Sequence, residues 1–344
     1  MNSLLVTGGA GFIGSSFVRH VLEECPDYRV VVYDKLTYAG NPENLAGLAG
    51  AFKGRYTFVQ GDICDAQHVE EVMGEHGVDT VVNFAAETHV DRSLLDAGAF
   101  VMTDVYGTYV LLEAARKVGV ERFLHMGTDE VYGEVHQGSP RETDPLEPRS
   151  PYSASKAAAD LMVRAYHISH GMPTLITRAS DNFGPRQYPE KFIPLFITNA
   201  VDDLPLPLYG DGRQVREWMY VQDCCEGIMT VLGKGQLGEI YNVGGGNERY
   251  NIDVAQQIVE LLGKPRSLIQ HVADRPAHDR RYSLDFSKIK ALGWSQSHGF
   301  ESALEDTVRW YVDNEAWWRK IKSGEDYAGY YRRQYGARLQ ASSG

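Results

Sequence analysis

Tyr152 and Lys156, four residues apart, and the adjacent acids Asp129 and Glu130 lie in one stretch of the chain and could carry acid-base chemistry. On a helix the tyrosine and lysine share a face, one turn from each other. Ser150 is a good N-cap, and Pro151 suits a first helical position because its missing N–H would have no intrahelical partner. That predicts a helix starting just before Tyr152. An ammonium beside a phenol favours phenolate, and a positive nicotinamide ring nearby would add to the effect. Lowering a phenol from about 10 to about 7 needs roughly 4 kcal/mol of differential interaction, within reach of two positive charges in a dry cleft. Tyr152 would then take a proton from a sugar hydroxyl as hydride leaves the same carbon. Each pair alone has a plainer reading: an exposed helix pair for Tyr152 and Lys156, solvated loop acids for Asp129 and Glu130. The surrounding elements decide between the readings.

Residues 4–7 form a short strand that runs into Gly8, Gly9, Gly11 and Gly14, after which 15–24 has helical apolar spacing. Strand, glycine turn and helix form a dinucleotide fingerprint: the glycines let the backbone approach a pyrophosphate, and the helix N-terminus offers it free N–H groups. The second strand, 30–33, ends in Asp34, about 20 residues beyond Gly14, where an acid accepts hydrogen bonds from a ribose diol and repels a 2'-phosphate. NAD is favoured over NADP. Strands at 56–60, 80–83 and 122–126 alternate with helices at 66–75 and from 90 to 117. This alternation predicts an α/β fold, a doubly wound parallel sheet of the Rossmann type, with ligands beyond the strands' carboxyl ends. Asp62, the 85–88 segment with its small Ala85 and Ala86, and Thr128 to Glu130 all fall at such ends. The acids are thereby placed at the mouth of a dinucleotide cleft.

At 344 residues, the length suits about two domains. The dinucleotide-binding domain is expected over 1–180 with a return segment at about 216–244, and a smaller substrate-binding α/β lobe over 181–330. Pro185, Pro189, Pro194, Pro205 and Pro207 in the lobe oppose long regular elements. From Ser323 the chain is polar and tyrosine-rich, which predicts a surface extension ending in a C-terminal tail, 331–344. No apolar run approaches the roughly 20 residues of a membrane span, and no signal peptide precedes the first strand. Four scattered cysteines suit neither a disulfide framework nor a zinc site, so no metal is expected. A soluble cytoplasmic protein is anticipated. The net charge of −12 argues against a nucleic-acid partner. An anionic ligand must then be held by local cations such as Arg216, Arg275, Arg280 and Arg281, whose guanidinium forks suit phosphate.

The segments Thr7 to Gly14, Asp34 to Asn41, Ala85 to Asp91, Thr128 to Gly133, Tyr152 to Lys156, Tyr188 to Lys191, Leu208 to Gly212, and Asp274-Arg275 with His278-Asp279 are together similar to the blocks of a known family. The chain resembles the extended short-chain dehydrogenase/reductase superfamily and, within it, the dTDP-glucose 4,6-dehydratases, to about Lys320. The adjacent Asp-Glu is the specific part, since epimerases and decarboxylases of the superfamily usually keep the Tyr-Lys pair without it.

The resemblance implies that NAD is held by Gly8, Gly11, Phe12, Ile13, Gly14, Asp34, Lys35, Leu36, Thr37, Asp62, Ile63, Phe84, Ala85, Ala86, Thr103, Tyr152, Lys156 and Asn182. A dTDP-hexose would be held by Thr88, Thr128, Asp181, Lys191, Phe192, Pro207, Tyr209, Arg216, Asn251, Arg275 and His278, with Tyr209 against the base and Arg216 and Arg275 near the diphosphate. The implied reaction is redox-neutral. Tyr152 removes the 4-hydroxyl proton as C4 hydride passes to NAD, Glu130 removes the C5 proton, Asp129 protonates the departing 6-hydroxyl, and hydride returns to C6. Thr128 would polarise the 4-oxygen. The alternatives are an NDP-sugar 4-epimerase, a dehydratase acting on a UDP-sugar, or a non-catalytic dinucleotide sensor. A homodimer is implied, with helices 100–117 and 152–170 as its interface. Asp104 and Asp181 stand where the family commonly has asparagine, and Ala277 where it often has glycine.

Overall fold

The computed structural model describes residues 3–342. Its strands are β1 (Ser3–Thr7), β2 (Arg29–Asp34), β3 (Tyr56–Gln60), β4 (Thr80–Asn83), β5 (Arg122–Thr128), β6 (Thr174–Ala179), β7 (Asp181–Phe183), β8 (Leu206–Tyr209), β9 (Val215–Tyr220), β10 (Ile240–Val243), β11 (Glu248–Tyr250) and β12 (Ile269–Val272). Among the described residues, seven of them make one sheet in the order β10-β6-β5-β4-β1-β2-β3, and every pairing in it is parallel. The strand order reverses beside β1, which opens a crevice beyond the carboxyl ends of β1 and β4. β1, β4 and β6 are buried throughout, as a sheet covered on both faces requires. The helices Phe12–Glu24 and Val221–Lys234 cover one face through Phe17, Val21, Ile228 and Val231. Ala66–Glu75, Thr108–Val118 and Pro151–His170 cover the other through Val72, Leu111 and Val163.

The long helix expected from 90 to 117 is broken into pieces. Val90–Leu95 and Ala97–Phe100 are followed by a π-helical stretch, Val101–Gly107, and then Thr108–Val118. At Gly107 a β-carbon would stand 2.5 Å from Ile63 Cδ1, so the helix approaches the end of the sheet more closely than any side chain there would allow.

The remaining elements surround a second core that includes Phe196, Trp218, Phe300, Tyr311 and Trp318. A small sheet, β11-β9-β7, and the pair β12-β8 are covered by Phe192–Val201, Asn251–Leu261 and Phe300–Asp313. The prolines break less than expected. Pro194 lies in the first turn of Phe192–Val201, where no N–H is required, and Pro207 sits in β8, whose only ladder partner is β12. The stretch from Ser323 is not a surface extension, and 331–342 is not a free tail. Residues Glu325–Ser342 form a helix whose Tyr327, Tyr330 and Tyr335 are only 4%, 1% and 4% exposed. Tyrosine inverts the polar reading because its ring buries a large apolar area while its hydroxyl needs only one partner. Residues 1, 2, 343 and 344 lie outside the described residues.

Candidate active site

β1 runs into a turn where Gly8 takes φ +65°, and a β-carbon there would stand 2.6 Å from the Ala85 amide nitrogen. At Gly14 it would stand 2.3 Å from the Gly8 carbonyl oxygen, so only glycine lets helix Phe12–Glu24 start this close to the turn. Asp34, at the end of β2, is 7% exposed. Its Oδ2 accepts from the Ala10 amide at 2.9 Å and its Oδ1 from the Leu36 amide at 2.8 Å, bonds that favour the carboxylate against a burial that raises its pKa. Lys35, the one cation beside it in sequence, is held at 2.6 Å by Asp62.

β5 extends two residues beyond the expected Met126 and ends at Thr128, which caps the short helix Asp129–Tyr132 by accepting from the Glu130 amide at 3.3 Å. Thr128 Oγ1 donates to Asp129 Oδ1 at 3.2 Å, while Asp129 Oδ2 is buried without a hydrogen-bond partner among the described residues. Helix Pro151–His170 begins as the sequence predicts. The Ser150 side chain accepts from the Ser153 amide at 3.0 Å, the Ser153 hydroxyl answers the Ser150 amide, and Pro151 occupies the first turn.

One cleft gathers Thr128, Asp129, Glu130, Tyr152 and Lys156. It is also lined by Gly8, Gly11, Phe12, Ile13, Gly14, Asp34, Lys35, Thr37, Asp62, Ile63, Phe84, Ala85, Ala86, Thr103 and Asn182, and by Thr88, Asp181 and Lys191. Leu36 is not in the lining; it takes φ +59° and gives its amide to Asp34. Phe192, Pro207, Tyr209, Arg216, Asn251, Arg275 and His278 also lie off this cleft. Phe192 stacks on Trp218 at 5.9 Å between centroids. Tyr209 donates to Asp91 at 2.9 Å, Arg275 Nε pairs with Asp91 at 3.2 Å, and His278 Nδ1 is 2.5 Å from Asp274 Oδ1. Asn251 opens helix Asn251–Leu261 with a buried Oδ1 that has no donor among the described residues.

The electrostatics separate the groups. Burial first, then Asp181 and Glu130, push Asp129 well above the usual carboxylate range. Glu130 is pushed up to about 7 by burial and by Asp181, against the cations Arg275, Arg216 and Lys191. Asp181, the departure from asparagine, is itself raised by burial, and its Oδ2 stands 3.7 Å from Arg216 Nε. Arg216 is the cation paired with it, and Lys191 and Arg275 lower its pKa as well.

Tyr152 departs from expectation. Burial, Glu130 and Asp104 raise its pKa well above the ordinary value, with only Thr128 pulling it down. Lys156 Nζ donates to the Met126 carbonyl at 2.6 Å, which ties one of its three donors to β5. Burial lowers its pKa while Asp104 and Asp160 oppose that. Asp104, inside the π-helical stretch, accepts from Ser155 Oγ at 2.6 Å and from the Glu87 amide at 2.8 Å, and burial pushes it up to about 6.

Sequence reasoning passed over Tyr33, Glu87, Gln187 and Tyr188, which line the cleft, and Asp91, which ties Tyr209 to Arg275. Glu87 and Asp91 follow β4, and that position was a usable signal. Tyr188 opens the Tyr188 to Lys191 block, and that was a signal for it as well; nothing local marks Gln187.

The model of the GDP-mannose 4,6 dehydratase family matches residues 5–307. The dTDP-glucose 4,6-dehydratase of an Actinoplanes species is 50% identical over 321 residues, covering 92% of this chain and 99% of that protein. The crystal structure of DesIV, a dTDP-glucose 4,6-dehydratase from Streptomyces venezuelae with NAD and TYD bound, is 50% identical with a TM-score of 0.90, covering 93% of this chain and all of that one. The UDP-glucose 4-epimerase of Thermus thermophilus, solved with NAD, has a TM-score of 0.84 at 33% identity, covering 91% of this chain and 99% of that one.

Proposed function

Because this chain belongs to the GDP-mannose 4,6 dehydratase family, we propose that it is an NAD-dependent dTDP-glucose 4,6-dehydratase, forming dTDP-4-keto-6-deoxyglucose. The observation that carries this reading is the pair Asp129 and Glu130 at the end of β5, lining the same cleft as Tyr152 and Lys156. An epimerase needs only the second pair. Support for the substrate comes from relatives named for this activity at about half identity over nearly their whole length.

The cleft fits NAD. Gly8 and Gly14 leave no space for side chains where a pyrophosphate would approach, and Asp34 presents a carboxylate that two backbone amides keep in place. Bound NAD supplies the acceptor and later donor of the hydride exchanged between C4 and C6. The protein's own residues handle the protons. Tyr152, a phenol that a positive nicotinamide ring beside it would help to ionise, would as phenolate take the 4-hydroxyl proton beside Thr128. Asp129, raised well above the usual carboxylate range by burial and by the carboxylates of Asp181 and Glu130, is the group that delivers a proton to the departing 6-hydroxyl. Glu130, poised near neutrality, takes the C5 proton once the neighbouring ketone has acidified it. When hydride reaches C6, Glu130 returns a proton to C5, so the water lost is made up of the C6 hydroxyl and the 4-hydroxyl proton, with no net oxidation.

The free cysteines Cys25, Cys64, Cys224 and Cys225 suit a reducing cytoplasm, and no helix among the described residues is long and apolar enough to cross a membrane. The chain acts as a homodimer through Val101–Gly107, Thr108–Val118 and Pro151–His170. Incubation with dTDP-glucose followed by mass spectrometry tests the reading. The product should be lighter by one water; an unchanged mass with an inverted C4 would make the protein an epimerase, and dehydration of UDP-glucose alone would shift the base preference.

A further inference from the structure

The helix Glu325–Ser342 touches three separate segments from which the candidate substrate residues come. Asp326 accepts from Arg92 at 2.9 Å, just downstream of Thr88, and Arg92 also holds Glu190 at 2.9 Å. Tyr327 Oη donates to the Pro189 carbonyl at 3.3 Å, two residues before Lys191. Gln334 Nε2 donates to Asp91 Oδ2 at 2.8 Å and to Tyr209 Oη at 2.6 Å. Asp91, 4% exposed, is thus gripped by Gln334, Tyr209 and Arg275 together. One turn beyond Gln334, the guanidinium carbon of Arg338 stands 5.1 Å from the Tyr209 ring centroid. The buried Nη1 atoms of Arg338 and Arg275 both lack a hydrogen-bond acceptor among the described residues.

We infer that this C-terminal helix is the positioning element for the nucleotide end of the substrate site, with Gln334 holding Tyr209 and Asp91 in the arrangement that receives a pyrimidine nucleoside diphosphate. Tyr209, with Arg338 over its ring and Arg275 joined to it through Asp91, thus brings together two guanidinium groups whose Nη1 atoms no protein group accepts from among the described residues, a match for a ligand with several acceptor oxygens. Gln334 does not touch that ligand in this role. It fixes two groups that do, because an amide giving both its hydrogens to Asp91 and Tyr209 leaves the tyrosine hydroxyl one direction in which to donate. Without those donors, Asp91 loses one of its partners and Tyr209 loses its anchor in a dry site. The inference rests on the proposed substrate class.

Calorimetric titration of full-length protein with dTDP, compared with turnover of dTDP-glucose, tests it. Q334M keeps the length and packing of the side chain but has no donor. It should bind dTDP about tenfold more weakly and raise KM in parallel, with kcat, NAD affinity and Tm close to the parent. R338M, which leaves the Gln334 bonds in place, should weaken dTDP several-fold and serves if Q334M does not fold. Parental dTDP affinity in either folded variant overturns the inference. So does a loss spread equally over dTDP, NAD and Tm, which would mean the helix only holds the fold together. If the parent binds neither dTDP nor UDP, the substrate reading itself has failed, a result distinct from equal binding by parent and variant.

Discussion

At the scale of single residues, the division of labour between Asp129 and Glu130 follows from their surroundings. Burial, Asp181 and Glu130 raise Asp129 and so favour its neutral form; Asp129→Asn keeps its shape but removes the proton proposed for the departing hydroxyl. Turnover should fall by about 100-fold to 10,000-fold, while deuterium from D2O still enters at C5. In Glu130→Gln the C5 uptake should itself be suppressed. Dehydration at the parental rate in both variants would reduce the acids to loop residues. Because Glu130 must be ionised to accept a proton and sits near 7, kcat should rise with pH through about 7 and level off above it, and the Gln variant should lose that limb. Asp181 allows a stability test. Its folded pKa is raised above its unfolded value, so the folded state binds more protons between the two, and stability falls as pH rises through that window. Asp181→Asn should therefore raise Tm at pH 8 by about 2 °C, with the gain vanishing towards pH 3. A gain independent of pH would trace to packing instead.

Elements explain what could be read in the sequence and what could not. The glycine turn, Asp34, the Ser150 cap and the Tyr152 helix were legible because each is a local pattern: backbone sterics, a strand-end acid, a capping box, a four-residue repeat. The position of Asp129 and Glu130 followed once the alternation of strands and helices was recognised. Three things were not legible. The π-helical stretch that buries Asp104 lies where Gly107 comes close to Ile63, a contact between distant segments. The depression expected for Tyr152 counted two positive charges beside the phenol and left out its burial and the carboxylates of Glu130 and Asp104, which come from distant segments and raise it. The C-terminal helix read as solvated because its tyrosines bury rings against residues far earlier in the chain. The glycine turn gives the element-scale prediction. Gly14→Ala places a methyl where 2.3 Å separates it from the Gly8 carbonyl, so the turn must open. NAD affinity measured by fluorescence titration should drop at least tenfold while dTDP binding is retained. Unchanged NAD affinity would mean that the pyrophosphate does not sit on this turn.

At the scale of the whole molecule, one face remains without a partner in the monomer. Leu161 and Ile168 on helix Pro151–His170 are 53% and 70% exposed, and Val101, Met102, Tyr106 and Tyr109 on the neighbouring π and α segments are between 41% and 55% exposed. Leu161 and Ile168 are two turns apart, as are Met102 and Tyr109, so each set forms a stripe along one side of its helix. The helices lie on the same side of the sheet, and exposed apolar side chains on both are of the kind that marks an association surface. A second copy related by a two-fold axis would cover it, each helix pair meeting its own image in a four-helix contact. The same segments carry Asp104, Tyr152 and Lys156 on their inward side, so a contact made through these stripes would lie directly behind the cleft. Leu161→Glu with Ile168→Glu would place carboxylates in the middle of that contact, where each faces its own kind across the axis. Sedimentation velocity at micromolar concentration should show a dimer for the parent and a monomer for the double variant, with turnover reduced because the helix behind Tyr152 loses its support. A parent that sediments as a monomer would reject this arrangement and leave the patch free for some other partner.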